Sequence, residues 1–248
     1  MNTKKRSNER VTPWLCLIAI LLPVAVVSVL AAPASADEMQ RATQLVEKAR
    51  MTMDSFMNDS MMGPLRDLIK DAKGVFIAPQ LLKGAFVVGV SGGSGVFLVR
   101  DEKTGQWTGP AFYTIGGVSW GLQIGGEASE VILLAMTDRG VKSLLTSSLK
   151  LGADVGLAVG PVGAGASAAT ANLSADILSF SRSKGLYGGI SLEGAVVATR
   201  GDWNDAYYGR SVTPTDIFIR HEVRNPHAAE LIEAVTRSAC ADPGSGRC

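Results

Sequence analysis

Three short runs, GVFIAP at 74–79, GAFVVGV at 84–90 and GVFLVR at 95–100, are β-branched or aromatic and each opens on glycine. This is the pattern of strands separated by tight turns, and it constrains the chain more than any other feature. Lys103-Thr104-Gly105 supplies the next turn, after which 107–115 runs on as extended chain. VSWGLQIGG (118–126) alternates, with Val118, Trp120, Leu122 and Ile124 on one face and small or polar residues on the other. That alternation predicts one buried and one wet face. EVILLAMT (130–137) reads as a continuous apolar strand. Val155, Leu157 and Val159 alternate with Gly156, Ala158 and Gly160 in a small-residue stretch, 153–172, which lets another element or a ligand approach closely. Farther on, Leu178 and Phe180 alternate with Ser179 and Ser181, then Ile190, Leu192 and Val196 with Ser191, Glu193 and Val197.

Helical periods frame these strands. Met39, Ala42, Val46, Ala49, Met53 and Phe56 form one stripe of an amphipathic helix over 38–59. Gly63-Pro64 interrupts it and opens a second short helix whose apolar face is Leu65, Leu68 and Ile69. Thr137 or Asp138 can cap a helix running to about Leu149, and Asn225-Pro226 starts a last one with Ala228, Leu231, Ile232 and Val235 facing the core. The fold class expected is α+β: a glycine-rich, strongly bent, barrel-like antiparallel sheet with N-terminal, central and C-terminal helices.

Lys4, Lys5, Arg6 and Arg10 precede an uncharged run, 11–36, with an apolar centre at 14–30 and the ending Ala34-Ser35-Ala36. These are the parts of a secretory signal, so 1–36 is set apart and a periplasmic or secreted destination is expected. The alternative is an inner-membrane anchor through 14–30, since a span needs about 20 apolar residues. Removing four basic residues and Glu9 from 24 basic and 23 acidic leaves 20 against 22, which lacks the basic surplus of a nucleic-acid binder. The remaining 212 of 248 residues suit one domain, 37–239, with a short tail at 240–248. Cys240 and Cys248 either close a short loop on that tail or stay as two free thiols.

Chemistry-bearing patterns are sparse. His221 and His227 have no partner at a metal-ligand spacing, and no cofactor or catalytic residue is assigned. The glycines at 89–95 lack the Gly-Lys-Ser/Thr ending and the following helix of a phosphate cradle. Glu193 and Asp205 would serve an enzyme only as a carboxylate pair in a pocket. Arg66, Lys70, Lys73 and Lys83 cluster near the helix-to-sheet junction, which is either a footprint for anionic lipid or a solvated face balanced by Asp67 and Asp71.

AKGVFIAP (72–79), GGSGVFLVR (92–100), W-x-G-P (107–110), GLQIGG (121–126), AVGPVG (158–163), FSRSKGLYGGISLEGAVV (180–197) and N-x-x-x-YG (204–209) occur in one order along the chain. Together they resemble the SYLF domain, the yeast actin-patch regulator family, which has bacterial secreted members; the resemblance covers about 40–237. It implies a non-enzymatic lipid-binding module. Eukaryotic members look like phosphoinositide binders that use an N-terminal amphipathic helix and basic residues, and fungal members also bind actin. Carried over, the helix is 38–57 and the lipid-binding candidates are Arg66, Lys70, Lys73 and Lys83, with Arg182 and Lys184 as a second basic pair. The expected partners are anionic membrane lipids of the envelope. The alternative is a structural or protein-interaction protein of the periplasm that receives a partner on 153–172.

Overall fold

The glycine-led runs form strands, but fewer and longer ones than their punctuation predicts. The computed structural model describes residues 34–85, 88–120, 125–163, 174–183, 186–187 and 192–240. Its strands are β1 (Gly74–Ala85), β2 (Val88–Arg100), β3 (Trp107–Trp120), β4 (Gly125–Ala135), β5 (Ser148–Lys150), β6 (Leu157–Val159), β7 (Ile177–Ser183), β8 (Leu186–Tyr187) and β9 (Val196–Thr199). They join one curled, half-barrel sheet in the order β5-β9-β3-β2-β1-β4-β7-β6, with β8 added on β7. Among the described strand pairs only β6 with β7 is parallel, and an isolated parallel bridge joins Leu151 and Val155. The α+β class is as expected.

Among the described residues six α-helices accompany the sheet: α1 (Ala34–Met57), α2 (Gly63–Leu68), α3 (Asp138–Leu144), α4 (Gly201–Tyr208), α5 (Pro214–Phe218) and α6 (Ala229–Ala239). The stripe of α1 behaves as its period predicts, since Ala42, Val46, Ala49, Met53 and Phe56 are all buried and only Met39 stays exposed. They pack with Val75, Ile77, Val96 and Phe112 of the sheet and with Leu231 and Val235 of α6. Pro64 sits in the first turn of α2, and Thr137 caps α3 by accepting the Gly140 N–H. Asn225 accepts the His227 N–H at the 3-10 turn that leads into α6. The other face of the sheet curls around a second core, in which Tyr113 stands edge-on to both Phe76 and Phe97.

Four expectations are corrected. The turns anticipated at 80–83 and 91–94 are strand, because a bulge after Ile77 keeps β1 paired past Pro79. Residues 107–120 are one strand, and Val118 is 66% exposed rather than buried; Leu122 and Ile124 lie outside the described residues. The helix begun at Thr137 stops at Leu144, and Leu149 is buried in β5, pairing with Val197. In β9 it is Val197 that is buried and Val196 that is exposed, because the turn at Leu192–Gly194, with Gly194 at φ 81°, resets the alternation.

Candidate functional site

Helix α1 lies across the sheet and has two flanks. One is tied to α6 and its approach: Arg50 pairs with Glu230, Asp54 with Arg237, and Glu47 lies 3.3 Å from His227. Arg41, Gln44, Lys48, Met51 and Ser55 recur at helical spacing along the other flank and line two open grooves. The larger, about 520 Å³, runs between α1 and the ends of β4 and β7, and Thr52, Gln80, Glu130 and Arg182 add to its walls. The smaller, about 240 Å³, continues over Leu82, Gly92 and Gly93 to Trp203. Lys48, Pro79 and Gln80 line both, so Lys48 stands where they meet. No ion pair or hydrogen bond engages the Lys48 ammonium among the described residues. The β1 bulge creates the floor here, since it turns Gln80 outward and leaves Gly93 so close that a Cβ there would strike the Gln80 carbonyl.

Arg182 closes one end of the larger groove. Its guanidinium reaches Glu130, Asp59 (3.1 Å) and the Ser55 hydroxyl (2.7 Å), and the same group lies over the Phe56 ring, with Cζ 4.8 Å from the centroid. It is mostly buried, with 20% of the side chain exposed, and the two carboxylates hold it firmly protonated against the cost of that burial. This charge ties the end of α1 to β4 and β7. Lys184, the expected companion of Arg182, lies outside the described residues.

The structure does not gather the four basic residues of the helix-to-sheet junction. Arg66 donates to the Met57 and Asp59 carbonyls, capping the end of α1. Lys70 faces Asp67 at 3.5 Å, and Lys73 bridges Glu102 and Asp138. Lys83 sits roughly 30 Å farther along β1 at 3.3 Å per residue, on the opposite face of the sheet beside Glu127 and Ser91. The signal that was missed is the second spacing in α1: Arg41, Gln44, Lys48, Met51 and Ser55 run beside the apolar stripe. Of the two carboxylates considered for catalysis, Asp205 accepts the Val212 N–H at 2.9 Å, while Glu193 is exposed in the turn before β9. Among the described residues no three His, Cys, Asp or Glu side chains gather as a metal site. Cys240 is disulfide-bonded; Cys248 lies outside the described residues.

The outer edge of β3 explains two motifs at once. From Pro110 to Phe112 the strand is satisfied by α4: Asn204 accepts the Phe112 N–H at 3.0 Å, Phe112 O accepts the Arg200 N–H at 2.8 Å, and the Tyr208 hydroxyl donates to Pro110 O at 2.7 Å. W-x-G-P and N-x-x-x-YG are therefore two sides of one joint. A family model described as Ysc84, Las17-binding protein actin regulator, matches residues 116–238. The chain belongs to the Ysc84 (SYLF) family. It is 32% identical over 170 residues to the SH3 domain-containing YSC84-like protein 1 of Bos taurus, covering 68% of this chain and 49% of that protein. To the LAS seventeen-binding protein 3 of Saccharomyces cerevisiae it is 30% identical over 205 residues, 81% of this chain and 44% of the relative. The chain spans about half the length of these curated relatives. In this Ysc84 domain the most specific motif, 180–197, carries Phe180 in the core and Arg182 at the α1 tie.

Proposed function

We propose that this protein is a non-enzymatic Ysc84-domain module of the bacterial envelope, delivered to the periplasm by cleavage of 1–36, that binds anionic lipid head groups. The observation that carries it is Lys48, an unengaged ammonium at the junction of two open grooves, with the Ser55 hydroxyl, an acceptor from Arg182, on the same flank. A cation with a neutral hydroxyl beside it suits phosphate oxygens.

Co-sedimentation with liposomes tests this. The protein is expected to pellet with phosphatidylglycerol or cardiolipin vesicles in preference to phosphatidylcholine, and equal partition overturns it. A second reading, a protein-interaction module, is favoured by the description of its family as Las17-binding and actin-regulating. Cross-linking in cells separates the two, because a single dominant protein adduct follows only from the second.

A further inference from the structure

Beyond the helices the sheet runs on as a four-stranded end, β1 from Leu81, β2 to Gly93, β3 from Gly116 and β4 to Ala128. Directly paired residues in antiparallel strands share a face. Val90 pairs with Val118, Gly84 with Val90, and Leu82 with Gly92, so Leu82, Val90 and Val118 form one cluster. They are 54%, 61% and 66% exposed, on the side where α1 lies. By pairing, Lys83, Ser91, Glu127 and Ser129 share the other face of the same end, where Val118 also borders a small pocket, so the end is amphipathic with its apolar side turned to solvent. Gly84 and Gly92 lie between the exposed side chains, and a Cβ at either would meet nothing within 4 Å. No packing constraint keeps them bare, yet they leave the apolar face flat.

We propose that this sheet face, Leu82, Val90 and Val118, lies against an anionic membrane surface with Lys48 at its rim. The proposal rests on the lipid-binding reading above and adds where and how the domain sits. The occupant follows from chemistry. A flat apolar patch beside a cation matches an interface whose head groups are anionic and whose depth is apolar, and the smaller groove runs from Lys48 to Leu82 without a break.

The test is co-sedimentation of the mature protein with vesicles of phosphatidylglycerol and phosphatidylethanolamine in equal parts, comparing wild type, Val90→Asp/Val118→Asp, Lys48→Gln and Lys70→Gln. The double variant is expected to lose at least about tenfold in partition, Lys48→Gln about fivefold, and Lys70→Gln nothing. Wild-type binding that survives in the double variant overturns the docking face and leaves the lipid reading standing; no wild-type binding overturns both. Should the double variant fail to fold, an environment-sensitive fluorophore on Val118→Cys is expected to shift to the blue when vesicles are added, and an unchanged spectrum overturns the proposal. Vesicle-free self-association blocked by the double variant overturns the choice of a membrane as occupant.

Discussion

At the scale of single residues, polar side chains inside this fold hold backbone that strands leave unpaired. Asn204 is fully buried and serves the Phe112 N–H and the Arg200 carbonyl together. Asn204→Ala is expected to cost about 1–3 kcal/mol, the penalty for stranding a buried amide, read as a lower urea midpoint. Asp176 accepts the Thr137 hydroxyl at 2.6 Å and the Gly156 N–H at 3.1 Å, with Arg139 near, and the Thr137 bond foremost holds its pKa below the usual carboxylate range. A depressed folded pKa gives stability that is full above the unfolded value and is lost as pH falls through the folded one. Asp176→Asn should therefore be less stable than wild type at neutral pH, by about 1–3 kcal/mol, and the gap should close in acid; an equal gap at both pH values would count against this account. The capping residues Thr137 and Asn225 were legible in the sequence because a cap is a local event. The Asn204 contact was not, because its partner lies 92 positions away.

At the scale of elements, the period of α1 was fully legible, and its consequence is that the amphipathic helix is committed to the core. Met53→Ala should cost about 2–5 kcal/mol, while Met51→Ala, on the groove flank and 61% exposed, should change stability by less than about 0.5 kcal/mol; thermal unfolding of the two variants checks the contrast. Arg182→Met removes the cation that Glu130 and Asp59 share, and after discounting for partial exposure a loss of about 1–3 kcal/mol is expected. A double-mutant cycle with Glu130→Gln measures that coupling. Strand lengths were misjudged because glycine has two uses. Gly93 reads as a turn residue and Gly95 as the opening of a strand, but both are mid-strand, where a Cβ would meet the Gln80 carbonyl or the Phe76 ring.

At the scale of the whole molecule, one sheet carries two cores, and its uncovered end is where the apolar surface collects. Among the described residues no helix is long and apolar enough to cross a membrane. Export with cleavage after Ala36 predicts a mature chain that begins at Asp37, which leaves the buried stripe from Ala42 onward intact; N-terminal sequencing of the purified protein tests it. A chain still carrying 14–30 would show the anchor instead. For the tail, mass spectrometry without reduction is expected to find Cys240 joined to Cys248.

By itself the sequence determined what depends on neighbours along the chain: the helical period of α1, the proline and threonine starts of α2 and α3, the strand character of the glycine-led runs, and the family motifs. Tertiary structure alone decided where the charges and the exposed apolar side chains ended. Arg66 and Lys73 look free in the sequence and are used by the end of α1 and by Asp138, whereas Lys48, unremarked on a helix flank, stands at the grooves. The reason is register: the bulge after Ile77 and the pairing of Val90 with Val118 bring together residues far apart in sequence. Which face water reaches is set by what packs across the sheet, and no local pattern carries that information.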